Sequence, residues 1–239
     1  MNALPASTPE AARTLFPNLR PGTKLYDVLF GMPLAVWYGI GFYVQAPLLL
    51  RAIAAVVRPH PDPLLVIDVL SKSAALVFAA LLIGLVVIRR PASTGAPGFT
   101  PKAVAFLGAF LGVAILCLPH RKIGWEMQLV STALIMGGMG FAVYALFWLG
   151  RSISVLSEAR NLVTGGPYSI VRHPLYLGEE AALVGVTLQF MSWTAFSILL
   201  LQIGFQLYRM GFEEQVMRDA FPEYENYALR VKRILPGIY

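Results

Sequence analysis

The sequence predicts an all-α integral membrane helical bundle of about six transmembrane helices, with a C-terminal helical hairpin and a cytoplasmic amphipathic tail helix. Three observations carry this. Of 239 residues, 57% are hydrophobic and only 13% are charged, where soluble domains run at about 25% charged, and the mean hydropathy is +0.65. Apolar runs recur that are long enough, at roughly 17–25 residues, to cross a hydrocarbon core of about 30 Å. The stretch Ala74–Ile88 shows none of the alternating polarity of a transmembrane β-strand, which leaves helices as the spanning element. One membrane domain over residues 1–239 is expected, with four spans in 1–150 and the helical hairpin region in 151–239.

Taken in order, residues 1–25 contain four prolines and three basic residues without a continuous apolar core, which is not the pattern of a cleaved signal peptide. The first span is Val28–Leu50, and apolar character continues past Pro47 and Arg51 to Val57. That continuation reads either as one kinked helix or as a span followed by an interfacial segment. The second span is Leu70–Ile88, followed by Pro91–Pro101, a loop rich in Pro, Gly, Ser and Thr. The third, Ala103–Pro119, carries Gly108 and Gly112, and the fourth, Gln128–Gly150, carries Gly137, Gly138 and Gly140. Small residues at these spacings let helix backbones approach closely. A Gly-Gly-x-Gly string inside a span lacks the strand and loop that a nucleotide-binding fingerprint needs. The fifth and sixth spans, Leu175–Met191 and Trp193–Met210, are separated only by Ser192, so they form a tight hairpin whose outer ends share one side.

That constraint orients the chain. One side collects Arg13, Arg20, Lys24, Arg89, Arg90, Lys102, Arg151, Arg160, Arg172, Arg209, Arg218, Arg230, Lys232 and Arg233; the other holds Arg51, Arg58, Lys72, Arg121 and Lys122. Positive charge favours the cytoplasmic face, so both termini are expected there. The pI of about 9.6 then follows from orientation and lipid head groups, and a nucleic-acid partner is not expected. The single cysteine, Cys117, and three scattered histidines, 60, 120 and 173, give no metal-ligand cluster.

Polar residues gather in two segments flanking the hairpin. The first runs Thr164-Gly165-Gly166-Pro167-Tyr168-Ser169-Ile170-Val171-Arg172-His173-Pro174-Leu175-Tyr176-Leu177-Gly178-Glu179-Glu180. Pro174 suits the first turn of the fifth helix, where its missing N–H is no loss. Tyr176 then shares a face with Glu179 and Glu180, three and four residues on. Two carboxylates entering a membrane helix are costly and point to function, although a carboxylate near a helix N-terminus is also favoured by the dipole. Arg172 and His173 equally suit a head-group anchor. The second segment, Arg209–Arg233, contains Glu213, Glu214, Phe221, Tyr224 and Tyr227 and has a helical apolar stripe broken near Pro222. Alone, it reads as an amphipathic helix with tyrosines as interface anchors.

Together the segments resemble the C-terminal signature of the isoprenylcysteine carboxyl methyltransferase and phospholipid methyltransferase group of integral membrane enzymes. The resemblance rests on Gly166-Pro167-Tyr168, Arg172-His173-Pro174 with Tyr176 and Gly178, the hairpin, Glu213-Glu214, Phe221, Tyr224, Tyr227, Arg233 and Pro236, and covers roughly residues 150–239. It implies S-adenosyl-L-methionine held between the hairpin, the Arg-His-Pro segment and the C-terminal helix, with a cytosolic mouth, while a lipophilic small molecule or prenylated acceptor enters from the lipid bilayer. The implied cofactor residues are Gly166, Pro167, Tyr168, His173, Pro174, Leu175, Tyr176, Gly178, Glu213, Glu214, Tyr224 and Tyr227. Ser169-Ile170 and Glu179-Glu180 depart from the usual family pattern. A related Arg-His-Pro-x-Tyr-x-Gly-Glu string also occurs in NADPH-dependent membrane sterol and steroid reductases, which usually carry Asn where this chain has Leu175. A transporter or scaffold would instead place charges along the midplane of several spans, and spans two to four have almost none.

Methyl transfer is an in-line displacement in which alignment can supply about 7–11 kcal/mol. A carboxylate acceptor needs a cation to position it, a role suited to Arg172. An amine acceptor needs deprotonation, for which Glu179, Glu180 or His173 are candidates. The residues leave the choice between O- and N-methylation open.

Overall fold

The computed structural model describes residues 23–57, 63–119, 121 and 123–239. The N-terminal segment expected to be retained, and Arg13, Arg20, Arg58 and Lys122 of the charge count, lie outside the described residues. Helix α1 runs unbroken from Lys24 to Val56 through Pro33 and Pro47, so the chain takes the single-long-helix alternative. Prolines are tolerated within membrane helices because neighbouring groups satisfy the freed carbonyls. Thr23 caps its start, accepting from the Tyr26 N–H. Helix α2 is Pro63–Ile88. Helix α3, Thr100–Phe110, tightens into a 3-10 segment over Leu111–Cys117, and α4 is Trp125–Leu149. The hairpin consists of α5, Pro174–Phe190, and α6, Trp193–Ala220. Met191 at φ 38° turns the chain between them, and Ser192 caps α6 by accepting from the Ala195 N–H. Among the described residues, five helical segments are long and apolar enough to cross a membrane: Leu25–Val56, Asp68–Ile88, Thr100–Cys117, Trp125–Ser152 and Trp193–Ala220. The sixth expected span, α5, has 17 residues, at the short limit for crossing.

The hairpin arms are not each other's main partners. Helix α5 lies along α4, α6 packs on α3, and α1 pairs with α2, which in turn meets α4. Glycines set the α4–α5 approach. A Cβ at Gly138 would stand 2.5 Å from the Ala182 nitrogen, and one at Gly178 would stand 2.7 Å from the Ala142 nitrogen. The buried Ser131 hydroxyl fastens the far end by donating to the Gly185 carbonyl at 2.8 Å. The outer face of α1 exposes Val28, Leu29, Met32, Val36 and Ile40, as a lipid-facing surface would.

On the positive side the loops are tied rather than loose. Strands β1, Thr94–Gly95, and β2, Glu158–Ala159, pair antiparallel. Arg160, with a fully buried side chain, bridges Asp27 of α1 at 2.6 Å and Glu158 at 2.7 Å. Arg89, just past the end of α2, joins the same group through Asp27 at 3.5 Å. Helix α7 is only seven residues, Tyr224–Arg230. Just beyond it Val171 and Lys232 form an isolated parallel bridge, and the Arg172 and His173 N–H groups donate to the Lys232 and Arg233 carbonyls at 2.7 and 2.9 Å. The tail is therefore stitched to the Arg-His-Pro segment, and Tyr224 and Tyr227 are buried instead of anchoring at an interface.

Candidate active site

Two local features prepare the site. Gly166 adopts φ +58° with the Trp148 ring packed where a Cβ would be; any other residue there would be strained and would clash. Pro167 then enters the tight turn Gly166–Ser169. His173 has φ −122° and ψ 58°, non-helical as expected of a residue before proline, and Pro174 starts α5.

The two polar segments meet around Glu214, whose side chain is fully buried. Arg172 donates through Nε to Glu214 Oε1 at 3.0 Å, with Nη2 at 2.9 Å from the same oxygen. Its Nη1 donates to the Ala228 and Val231 carbonyls at 2.8 and 2.7 Å. Arg233 forks onto both Glu214 oxygens at 2.9 and 3.0 Å, and His173 Nε2 lies 3.3 Å from Oε1. Charge-assisted, forked bonds of this kind are the strong class of hydrogen bond, and Glu214 holds the guanidinium of Arg233 in its charged form by raising its pKa.

A second group forms around Glu213. Its Oε1 accepts from the Tyr176 hydroxyl at 2.6 Å and from Arg209 Nε at 2.9 Å, while Oε2 lies 3.9 Å from His173 Nδ1. The His173 and Tyr176 rings stack, 6° from parallel at 5.5 Å, and Arg209 covers the Tyr176 ring at 5.0 Å. Arg209 also donates to the Val155 carbonyl at 2.9 Å, which fixes the loop after α4 as a wall. Tyr227 donates to the Tyr168 carbonyl at 2.6 Å. Burial pushes the phenols of Tyr168, Tyr224 and Tyr227 above their ordinary range, so they stay neutral donors.

These groups border a cavity of about 520 Å³. Of the residues expected to form the site, Tyr168, Arg172, His173, Leu175, Tyr176, Glu179, Glu180, Glu213, Glu214, Tyr224 and Tyr227 all line it. Gly166, Pro167, Pro174 and Gly178 do not; the first three shape the chain entering α5, and Gly178 packs on α4. The cavity continues inward between α3, α4 and α5, past Gly112, Ile135, Leu183 and Val186. Sequence reasoning missed the loop wall Ser152–Val155 and Asn161–Val163, the α1 residues Tyr38 and Gln45, and Gln202 of α6, all of which line the cavity. Gln202 and Gln206, one turn apart in an apolar span, are a signal that could have been read. Among the described residues no group of three or more His, Cys, Asp or Glu side chains converges as a metal site.

The phospholipid methyltransferase family model matches residues 127–224, the stretch from α4 to the start of α7. The probable protein-S-isoprenylcysteine O-methyltransferase of Oryza sativa subsp. japonica is 30% identical over 132 residues, 52% of this chain and 68% of that protein. The chain belongs to the isoprenylcysteine carboxyl methyltransferase and phospholipid methyltransferase family. Two further relatives of this methyltransferase family chain carry metal-resistance names. The nickel-cobalt-cadmium resistance protein NccN of Alcaligenes xylosoxydans xylosoxydans is 30% identical over 132 residues, 54% of this chain. The cobalt-zinc-cadmium resistance protein CzcN of Cupriavidus metallidurans is 30% identical over 130 residues, 53% of this chain. The chain spans 62% and 59% of the length of these two relatives.

Proposed function

We propose that this protein is an integral membrane methyltransferase that uses S-adenosyl-L-methionine to methylate a lipophilic acceptor on oxygen or nitrogen. The observation that carries the reading is one cavity with two chemistries: stacked rings, phenols and a part-free carboxylate at the end nearest the tail, and an apolar passage within the bundle. Its size falls within the roughly 300–1,000 Å³ of small-molecule sites. The polar end suits the donor. Among the described residues, Glu213 Oε2 has spare acceptor capacity and the buried Tyr168 hydroxyl has no hydrogen-bond partner. An adenosyl group offers flat surface for His173 and Tyr176, and its amino and ribose groups offer donors and acceptors for Glu213 and Tyr168. When bound, S-adenosyl-L-methionine supplies an electrophilic methyl on a sulfonium.

The chain's own residues do the rest. The Glu214 cluster holds the tail against the Arg-His-Pro segment, so that His173, Tyr176 and Glu213 keep fixed positions. Arg209 ties Glu213 to the Val155 loop and so fixes one wall of the inner chamber. Preorganised alignment of this kind is the main rate factor available to a displacement reaction. Arg172, Arg209 and Arg233 are engaged by Glu213 and Glu214, which supports a cofactor without a 2′-phosphate over NADPH. The positive-side placement of the cluster supports a mouth open to the cytosol.

Purified protein incubated with membrane lipid extract and labelled S-adenosyl-L-methionine is expected to yield a labelled lipophilic product identifiable by mass spectrometry, with calorimetric binding of S-adenosylhomocysteine. NADPH binding with no response to either adenosyl ligand would overturn the reading.

A further inference from the structure

Past Tyr176 the cavity turns from one charge character to another. Glu179 and Glu180 line its inner part, on consecutive positions of a helix that carries no other charged residue. Of the arginines bordering the cavity, Arg172 is bound to Glu214 and two carbonyls, Arg160 to Asp27, Glu158 and the Arg90 carbonyl, and Arg209 to Glu213 and the Val155 carbonyl. Arg209 is the cation within electrostatic reach of Glu179, which also feels Glu180 and Glu213. Three carboxyl groups thus gather near one arginine, and an entering cation would favour their ionised form.

The acidic pair is joined by an independent feature. Gln202 of α6 is 95% buried, being 5% exposed, borders the cavity beside Glu180, and donates its amide N–H to the Gly108 carbonyl. That bond fixes which way the amide points, and leaves its Oε1 buried with no hydrogen-bond partner among the described residues. Glu180 lies against Gln202, and its Oε2 is likewise buried with no hydrogen-bond partner among the described residues. Unsatisfied acceptors in a low-dielectric site are costly and call for a donor. An ammonium has three N–H donors and a positive charge, and it answers both the orphaned oxygens and the excess carboxylates. A carboxylate or a phosphate answers neither and meets like charge.

Deepening the methyltransferase reading and resting on it for the reaction step, we propose that Glu179, Glu180 and Gln202 form an ammonium-binding site selecting as acceptor a lipophilic amine with no anionic group beside its nitrogen. The apolar passage by Gly112, Leu183 and Val186 takes the hydrocarbon part. The ammonium gives one proton to the Glu180 carboxylate, leaving a neutral amine with a free electron pair. That pair forms the new N–CH3 bond as the methyl–sulfur bond of the donor breaks, its electrons staying on sulfur. The products are a protonated methylamine, S-adenosylhomocysteine and a protonated Glu180, which returns its proton to water.

The test compares binding of three probes to the detergent-purified protein: octadecylamine, stearate of the same chain length, and phosphatidylethanolamine, whose amine sits next to a phosphate. Charge-assisted bonds of about 1.5–3 kcal/mol correspond to roughly tenfold or more in affinity. Octadecylamine is expected to bind at least about tenfold tighter than either other probe and to be methylated with labelled S-adenosyl-L-methionine. Glu180→Gln and Gln202→Leu should each reduce that preference while S-adenosylhomocysteine binding, measured on the same samples, persists. Equal or tighter binding of stearate or phosphatidylethanolamine by the unaltered protein overturns the proposal with no variant needed. Failure of S-adenosylhomocysteine to bind while the amine preference holds would instead overturn the methyltransferase reading and leave the ammonium site standing.

Discussion

Glu214 shows how one buried carboxylate organises several cations. Removing one partner of a buried ion pair costs about 3–5 kcal/mol because the other charge is stranded, and here Arg172 is the stranded group, Arg233 being part-exposed. Glu214→Gln should therefore lower stability by about 3 kcal/mol, visible as a melting temperature reduced by several degrees in detergent; an unchanged melting temperature would show that the cluster is not structural. Arg172 follows the same logic. Its three hydrogen bonds, to a carboxylate and two carbonyls, need the flat fork, which Lys lacks. Arg172→Lys is expected to weaken S-adenosylhomocysteine binding, slow turnover and lower the melting temperature together. Loss of turnover with affinity and melting unchanged would return Arg172 to the acceptor-positioning role that the sequence suggested.

Between helices, the α4–α5 contact depends on specific missing side chains. A Cβ at Gly138 falls against α5 backbone, which cannot move aside as a side chain could, whereas nothing lies within 4 Å of one at Gly140 two residues on. Gly138→Ala should cost about 1–3 kcal/mol through overpacking, and Gly140→Ala should be neutral or slightly stabilising; parallel thermal or denaturant unfolding of the two variants distinguishes them, and equal effects would refute the assigned packing. The tail docking depends instead on neutral phenols. Tyr168, Tyr224 and Tyr227 have folded-state pKa values above the usual 10. A raised value means stability fully present below pH 10 and lost as pH climbs through the folded values. The melting temperature should hold to about pH 10 and then fall, and Tyr227→Phe should soften that alkaline decline.

For the whole molecule, the orientation argued from Lys and Arg predicts which loops face the cytosol. In a cysteine-free background lacking Cys117, single cysteines at Gly98 and Ile238 should react with a membrane-impermeant reagent from the cytosolic side, and one at Arg121 from the opposite side. Reaction of Ile238 from the opposite side would invert the chain and remove the cytosolic mouth. The ion group of Asp27, Arg89, Glu158 and Arg160 ties α1, α2 and the loop after α4 into one layer, which keeps the N-terminal spans in register with the region carrying the site.

The sequence by itself determined the long apolar helices and the two polar segments of the candidate site. Hydrophobic runs report spans because lipid cannot satisfy a bare backbone, and the lone Ser192 forced a hairpin because no longer connection exists. The clustering of Arg172-His173 and Glu213-Glu214 at the two outer ends of that hairpin likewise made their meeting legible. What pairs with what was decided only in three dimensions. The α5 helix chose α4 over its hairpin partner because Gly138, Gly178 and Gly185 allow backbone contact there, a complementarity between distant segments that no single run displays. The same holds for Gln202 beside Glu180, Arg160 across to Asp27, and the bridge between Lys232 of the tail and Val171: each is a long-range match of donors, acceptors and charges. Local pattern specifies which surfaces must be hidden, and only tertiary packing specifies which partner hides them.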